Sequence, residues 1–406
     1  MNTPLLYLAR ASRRWPFGFA ALATLLLVMP EVRAAAPSLK VLGQGRWLTA
    51  ANDPVVDVKV AGQYAYVATR SGLSVIDVSD PARPVRVGGH TIGGAAENVA
   101  VSGNYAYVAD FFAGLVVIDV SNPTNCVRVG GLPTLGWSSG VAVAGNYAYV
   151  ADGFAYLQVI DVSNPTNCVR VGSFATFESA VRVAVAGHLA YVADGGGGME
   201  IVDVSDPTNC QSVGIYSGSG DSSRSVVVSG NYAYMVVGRE DAASLLEVID
   251  VSDPGNPWRV FRWTIPGTHG AGRDVAVSGN MVYVTGDWNG GLHVLDISNP
   301  SQPVLVGSHD TAGYPVGMAV ADNRIYMAGL DAGLLVLPTL RDVQFTVRVD
   351  AQPGVPFTIE AARDLGAPMP WSPLFTTNVA TMPFDFVDYD VRLTNWPRKF
   401  YRVRQP

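Results

Sequence analysis

The chemical groups that recur most regularly in this chain of 406 residues are carboxylates. Aspartate occupies the same slot of a repeated phrase six times, at Asp77, Asp119, Asp161, Asp203, Asp250 and Asp296. A catalytic site needs several different groups that converge, whereas a residue present in nearly every copy of a repeat usually satisfies a backbone requirement common to all copies. We therefore interpret these aspartates as turn residues that accept hydrogen bonds from backbone N–H groups, and not as general acids or bases.

The three cysteines follow the same repeat. Cys126, Cys168 and Cys210 are spaced 42 residues apart, and each follows the same Pro-Thr-Asn phrase. This spacing reflects duplication and not the geometry of metal ligands. Equivalent positions on neighbouring repeat units are expected to exceed the Cα separation of about 7 Å that a disulfide tolerates. The sequence therefore predicts no disulfide among them, and it indicates no metal ion or cofactor.

A second set of polar residues changes from one repeat unit to the next. The position that opens the first predicted strand of a unit holds the charged or amide residues Asp57, Asn98, Arg182 and Asp274. Two further arginines, Arg224 and Arg273, each precede such a position by one residue. Mixed charges of this kind either bind a ligand or neutralise one another at a solvated rim. A role in binding requires a fold that brings them together.

The elements that position these residues come from an internal repeat. The phrase Leu-Val-Val-Ile-Asp-Val-Ser-Asn-Pro at 115–123 recurs from residues 73, 157, 199, 246 and 292, and a degraded copy begins at residue 334. A second phrase, Val-Ala-Val-Ser-Gly-Asn-Tyr-Ala-Tyr-Val-Ala at 99–109, precedes each copy of the first in similar form. The chain thus contains seven units of about 42 residues, the period typical of propeller blades.

Each unit contains four short runs of apolar residues separated by turn sequences. In the second unit they cover approximately 97–102, 105–109, 115–120 and 127–132, with Gly103-Asn104 predicting a tight hairpin. Four antiparallel strands repeated seven times indicate a seven-bladed β-propeller, and a linear solenoid is disfavoured because capping repeats are missing. The seventh unit has only three strands. We expect its fourth strand from Leu39–Gly43, paired with Leu334–Leu337, which would close the ring.

The repeats resemble those of the LVIVD-repeat family of bacterial and archaeal exported or surface proteins. The namesake pentapeptide matches Leu115-Val116-Val117-Ile118-Asp119 and, less closely, the other copies, and the resemblance covers about residues 39–338. It implies a β-propeller located outside the cytoplasm. It brings no catalytic residues with it.

The two ends of the chain lie outside the repeat. Residues 1–36 contain Arg10, Arg13 and Arg14, an apolar run at 17–29 and small residues at 34–36, which is the organisation of a secretory signal peptide. The apolar run is shorter than the roughly 20 residues that span a bilayer, so no transmembrane anchor is expected in the mature chain. We assign 37–340 to the propeller and 341–406 to a small C-terminal β-sandwich-like module.

The connections between strands differ at the two ends of the predicted blades. The turns from strand one to two and from three to four are short and nearly identical, whereas those from two to three and from four to the next blade vary. We call the end with these connections the variable face, and it carries Trp137, Phe174, Phe177, Tyr216 and Tyr314. The connection from strand two to three of the fifth unit and the connection from the fifth unit into the sixth are the longest of their kinds. They predict a raised lip on this face. The candidate ligand-binding residues are therefore Asp57, Asn98, Arg182, Arg224, Arg239, Glu240, Asp241, His269, Arg273 and Asp274.

These features predict a secreted, periplasmic or cell-surface binding scaffold without catalytic activity, whose partner is a protein or a glycan. The alternative is a propeller hydrolase or lyase that acts on a polysaccharide or a small ester through Asp57, Arg182 and Asp274. A third possibility is a divalent-cation site formed by loop aspartates, although we expect Asp110, Asp152, Asp194 and Asp287 to lie too far apart. The net charge of −7 argues against nucleic acid as a partner, because binding it requires a basic surface.

Overall fold

The computed structural model describes the chain in several stretches. They are residues 43–45, 53–218, 221–239, 242–267, 272–286, 290–311, 314–330 and 332–339, together with five strands after residue 344. The predicted signal peptide at 1–36 lies outside the described residues. Within these stretches, no helix has the length and apolar character needed to cross a membrane.

The described strands are numbered in chain order, beginning with β1 (Gly43–Gly45). Blade 1 contains β2 (Val55–Ala61), β3 (Tyr64–Thr69), β4 (Gly72–Asp77) and β5 (Val85–Thr91). Blade 2 contains β6 (Ala96–Ser102), β7 (Tyr105–Asp110), β8 (Gly114–Asp119) and β9 (Val127–Leu132). Blade 3 contains β10 (Gly140–Ala144), β11 (Tyr147–Ala151), β12 (Leu157–Asp161) and β13 (Val169–Phe174).

The remaining blades follow the same plan. Blade 4 contains β14 (Arg182–Ala186), β15 (Leu189–Ala193), β16 (Met199–Asp203) and β17 (Gln211–Tyr216). Blade 5 contains β18 (Ser222–Ser229), β19 (Tyr232–Arg239), β20 (Ala242–Asp250) and β21 (Trp258–Thr264). Blade 6 contains β22 (Val275–Ser278), β23 (Met281–Thr285), β24 (Leu292–Asp296) and β25 (Val304–His309). Blade 7 contains β26 (Gly317–Ala321), β27 (Arg324–Gly329), β28 (Gly333–Pro338) and β1.

The seven blades form a closed ring of four-stranded antiparallel sheets. Contacts between the innermost strands run from β2 through β6, β10, β14, β18, β22 and β26 and back to β2. In blade 7, β1 pairs with β28, and Gly43, Gln44 and Gly45 stand opposite Val336, Leu335 and Leu334. This confirms the predicted closure by an N-terminal strand. The described strand begins at Gly43, whereas residues 39–42 of the predicted strand lie outside the described residues.

The core lies between neighbouring blades. The described residues form seven apolar clusters, and each joins two adjacent blades, including blade 7 to blade 1. The tyrosine that recurs in the second phrase of each unit is buried in these clusters, at Tyr66, Tyr107, Tyr149, Tyr191, Tyr234, Tyr283 and Tyr326. The outermost strands also pack closely on the next blade. A Cβ atom added to Gly130 of β9 would lie 1.9 Å from the carbonyl oxygen of Pro165 in blade 3, so this approach requires glycine.

The repeated aspartates stabilise turns, as the sequence predicted. Asp119 accepts a hydrogen bond at 2.8 Å from the backbone N–H of Ser121, and the other five aspartates make the equivalent bond. Hydrogen bonds from the side chain and backbone of Ser121 lower the pKa of Asp119. The three cysteines lie near these turns as free, buried thiols.

The C-terminal segment forms two small antiparallel sheets. Its strands are β29 (Phe345–Val349), β30 (Phe357–Ala362), β31 (Ser372–Thr377), β32 (Phe384–Asp388) and β33 (Phe400–Arg404). β29 pairs with β32, and β30 lies between β31 and β33. The sequence predicts four of these strands through its apolar runs at 345–349, 356–361, 384–387 and 400–403. It did not predict β31, because that segment lacks the apolar alternation of the others.

Candidate functional site

Two of the predicted site residues connect blades 1, 2 and 3 beside the central channel. The carboxylate of Asp57 accepts hydrogen bonds from the side-chain amide of Asn98 and from the backbone N–H of Val99, the latter at 3.0 Å. The Asn98 carbonyl oxygen in turn accepts one at 2.8 Å from the backbone N–H of Val141. Each side chain thus satisfies the backbone of the following blade.

Asp274 has the same role between blades 5, 6 and 7. One of its carboxylate oxygens accepts a hydrogen bond at 2.6 Å from the Ser225 hydroxyl, and the other accepts one at 2.8 Å from the backbone N–H of Met318. Burial raises the pKa of Asp274, and the positive charge of Lys59 opposes that rise. Asp57 and Asp274 are thus engaged in joining inner strands. The catalytic alternative would need these carboxylates to be available to a substrate.

Arg182 extends across the mouth of the channel. It donates hydrogen bonds to the carbonyl oxygens of Ser139 and Val181, and to that of Glu97 at 3.4 Å. Blades 4, 3 and 2 are therefore connected by one guanidinium group. Below it lies a cavity of about 330 Å³, whose polar lining includes Lys59, Asn98, Arg182, Ser225 and Asp274.

Arg224 and Arg273 directly precede the innermost-strand positions Ser225 and Asp274 of the adjacent blades 5 and 6, at the same mouth. Arg273 donates a hydrogen bond at 3.1 Å to the hydroxyl of Tyr314, and its guanidinium carbon lies 5.2 Å from the centre of that ring. Burial lowers the pKa of Arg224, and the positive charge of Arg273 lowers it further. The structure therefore brings together Asp57, Asn98, Arg182, Arg224, Arg273 and Asp274 around one channel, as the ring geometry predicts.

The predicted lip on blade 5 is a longer hairpin. β19 and β20 extend to Arg239 and Ala242, which face each other. Arg239 makes an ion pair with Asp221, with an N–O distance of 3.1 Å. Glu240, Asp241 and His269 lie outside the described residues. Tyr216 is buried and donates a hydrogen bond to Glu247, so this ring is part of the core and not of the surface.

Each described loop aspartate accepts hydrogen bonds from the backbone of its own blade or of the connection that leads into it. Asp110 accepts hydrogen bonds from the backbone N–H groups of Phe112 and Ala113, Asp152 from Gly136, and Asp194 from Glu178. Asp287 lies outside the described residues. Within the part of the chain that the structure describes, no three acidic, histidine or cysteine side chains converge as a metal ion requires.

The variable face carries an aromatic group that the sequence did not predict as a unit. Phe111 stacks on Trp137 with the ring centres 5.4 Å apart, and its edge contacts Phe112 at 5.0 Å. Trp137 in turn contacts Phe154 edge-on at 5.3 Å. We call Phe111, Phe112, Trp137 and Phe154 the aromatic ridge. Phe112 is 75% exposed, Trp137 50% and Phe154 66%, so the ridge presents its rings to solvent.

Comparison with known proteins agrees with this architecture. The LVIVD repeat model matches residues 54–91, 93–134, 135–176, 179–217, 220–264 and 269–311. The chain belongs to the LVIVD-repeat family. No curated protein matches it.

Solved structures share the fold of this LVIVD-repeat protein at low sequence identity. The structure of U3-55K is 12% identical with a TM-score of 0.60, over 74% of this chain and 99% of that one. The RRP9 WD40 repeats are 12% identical with a TM-score of 0.59, over 75% and 99%. The computationally designed Ika8 protein is 12% identical with a TM-score of 0.54, over 74% and 99%. Identities this low show the fold alone.

One residue of the LVIVD array departs from its siblings beside the aromatic ridge. In blades 1, 2, 4, 6 and 7, glycine with a positive φ is the first residue of the third strand or stands directly before it, at Gly72, Gly114, Gly198, Gly291 and Gly333. Blade 3 has Tyr156 there, with a φ of 71° and a side chain 40% exposed. A tyrosine in place of a repeated glycine is the signal by which the sequence could have identified this surface.

Proposed function

We propose that this protein is an exported, noncatalytic interaction scaffold that binds a protein or a glycan through the aromatic ridge. The observation that supports the proposal is the exposure of Phe112, Trp137 and Phe154 in one contiguous group. Contiguous apolar surface of this kind is costly in water and typically marks a binding site. Aromatic rings are also the side chains that contribute most to interfaces.

Five exposed apolar residues at a repeated position support the contrast. Val85, Val127, Val169, Trp258 and Val304 are each the first residue of the outermost strand of a blade. They recur at one position around the ring, so they are separated from one another and belong to the repeat. The aromatic ridge lies in the nonrepeated loops of blades 2 and 3, where function is commonly placed on a rigid scaffold.

The hydrogen bonds that the channel carboxylates already accept support a noncatalytic role. Asp57 and Asp274 accept hydrogen bonds from the next blade, which is a structural use of the groups that the alternative hydrolase or lyase would employ. Export is supported by the organisation of residues 1–36. It predicts that the mature chain begins just after Ala34 or Ala36, which N-terminal sequencing of the exported protein would test.

The binding proposal is tested by replacing two rings of the ridge. In the Trp137→Ala, Phe154→Ala double variant, we expect affinity for a partner identified with the wild-type chain, from glycan arrays or purified surface proteins, to fall at least tenfold. Val169→Ala is the matched control, because it removes exposed apolar surface from an outer strand. Thermal unfolding should change little in either variant, since the replaced groups are exposed. Unchanged affinity in the double variant would place the binding surface elsewhere.

A further inference from the structure

The mouth of the channel contains two arginines whose hydrogen-bonding capacity is incompletely used. The Nε atoms of Arg224 and Arg273 are buried and have no hydrogen-bond partner among the described residues. Nor does any carboxylate in that part of the chain lie within 4 Å of either guanidinium group. A buried donor without a partner destabilises the fold, and more so when it is charged. An anion at this position would remove that destabilisation.

Two β-bulges place charged residues at the mouth. The register of β6 against β7 shifts between Ala96 and Asn98, so Glu97 is the extra residue of a bulge. The register of β18 against β19 shifts between Ser223 and Ser225, which makes Arg224 the extra residue there. Bulges redirect a side chain out of the sheet pattern and are common beside functional sites. Their presence at both residues is independent of the unpartnered nitrogen atoms.

The electrostatics show that these charges share one region. Burial raises the pKa of Glu97, and the positive charges of Arg182, Arg70 and Arg273 oppose that rise. Arg182 is already bonded to three carbonyl oxygens, and Tyr314 holds Arg273 in place. Arg224 and Arg273 are therefore the two partly buried arginines of this region with an unpartnered Nε atom, and Glu97 is a carboxylate that competes with an anion bound there.

We infer that Arg224 and Arg273 bind the carboxylate of an acidic sugar residue, and that the aromatic ridge contacts the rest of the saccharide. Guanidinium groups bind carboxylates through paired hydrogen bonds. The inference rests on the proposed function, since it names the chemical class of the partner. It extends that function by adding a second contact region.

The position of the ridge favours a saccharide over a folded protein. Phe111 donates its backbone N–H to the carbonyl oxygen of Ala95, two residues from Glu97. Trp137 is two residues from Ser139, whose carbonyl oxygen accepts from Arg182. The ridge is thus joined through short backbone segments to Glu97 and to the carbonyl oxygen that Arg182 contacts, at the mouth where the charges of Arg273 and Arg224 also act. The flat apolar faces of sugar rings suit stacked aromatic side chains, and one acidic saccharide chain presents such faces together with a carboxylate.

The test measures binding of tetragalacturonate to the mature chain by calorimetry. We expect Arg273→Gln and Arg224→Gln each to weaken binding about tenfold or more. Arg83→Gln, which removes an exposed arginine from a turn at the other end of the blades, should leave affinity within twofold. Glu97→Gln should strengthen binding severalfold, because it removes the competing negative charge. Arg224→Gln should also retain or raise the melting temperature, since it removes an unsatisfied charge.

Three further probes separate the possible sources of the anion. The methyl ester of tetragalacturonate tests the charge, hexaglutamate tests an acidic peptide, and sodium sulfate tests a free anion. Ester binding equal to that of the acid, with both arginine variants silent, would overturn the inference while leaving the ridge proposal intact. Tighter binding of hexaglutamate or sulfate than of tetragalacturonate would overturn the saccharide assignment. Absence of binding by every acidic probe would overturn the anion site itself.

Discussion

The two ends of the blades use their polar residues differently. At the end with the short turns, six aspartates accept the same backbone hydrogen bond two residues along the chain. At the variable face, Asp57 bonds across to blade 2, Arg182 reaches blades 2 and 3, and Arg273 rests on Tyr314. Repetition therefore marks residues that hold a blade together, and its loss marks the surface where blades differ.

The difference also separates stability from binding. A residue required by every blade contributes to folding wherever it occurs, so its replacement should change the free energy of unfolding. A residue of the variable face occurs at one place on the ring, so its replacement should change the affinity for a partner.

The largest effect is expected where two blades approach most closely. Replacing Gly130 with Val would place a Cβ atom on the carbonyl oxygen of Pro165, and backbone on both sides prevents relaxation. We expect the free energy of unfolding to fall by about 3 kcal/mol, the upper part of the range for overpacking. Gly255→Ala is the control, because its added Cβ would lie 3.4 Å from its nearest neighbour, an ordinary contact. Denaturant unfolding that gave equal stability for the two variants would contradict this account of the interface.

Blades 4 and 5 both carry a glutamate at the second position of the repeated Leu-Val-Val-Ile-Asp phrase, but the two side chains have different partners. Glu247 is fully buried and accepts hydrogen bonds from Arg259, Arg262 and Tyr216. Its equivalent in blade 4, Glu200, is bonded to Ser212 and has one buried oxygen without a partner among the described residues. Glu247→Gln should therefore cost about 2 kcal/mol, less than the cost for a fully buried pair because both arginines are partly exposed.

Glu200→Gln should stabilise the fold, in contrast to Glu247→Gln, and it should do so only at higher pH. Burial raises the folded-state pKa of Glu200 from its ordinary value of 4.5. The contribution of a carboxyl group with a raised pKa is present below the unfolded pKa and is lost as the pH rises through the folded pKa. Glutamine does not ionise, so the variant keeps this contribution at high pH. Its melting temperature should therefore exceed that of the wild type at pH 8 and match it near pH 4. An identical pH dependence of melting in the two chains would show that Glu200 is not the cause.

The fold could be predicted from the sequence because seven copies of one pattern reinforce each other. Strand β6 was expected at 97–102 and is found at Ala96–Ser102. The convergence of Asp57, Arg182 and Arg273 also followed, since closure of the ring brings equivalent positions together. Their contacts did not follow, because the bond from Asp57 to Val99 N–H depends on the offset between blades. Phe112 and Phe154 were not predicted as a surface, because their loops have no repeat against which an exposed ring stands out.

The smallest effect on stability, and the sharpest separation from binding, is expected at Tyr156. Its φ of 71° lies in the left-handed region, which costs a residue with a side chain roughly 1 to 2 kcal/mol and costs glycine little. Glycine loses more chain entropy on folding, by roughly 0.5 to 1 kcal/mol, so Tyr156→Gly should stabilise the fold by at most about 1.5 kcal/mol. The same change removes an aromatic ring from the variable face and should weaken partner binding.

The matched control is Gly198→Ala, which makes the reverse change at the same position of blade 4. An added Cβ atom there would lie 2.2 Å from the carbonyl oxygen of Tyr216, and the φ of 88° disfavours a side chain, so this variant should lose stability. Stabilisation by Tyr156→Gly together with weaker binding would show that blade 3 retains a strained tyrosine for its contact with the partner. Unchanged binding, measured beside the Trp137→Ala, Phe154→Ala variant, would confine the contact surface to the aromatic ridge and leave Tyr156 outside it.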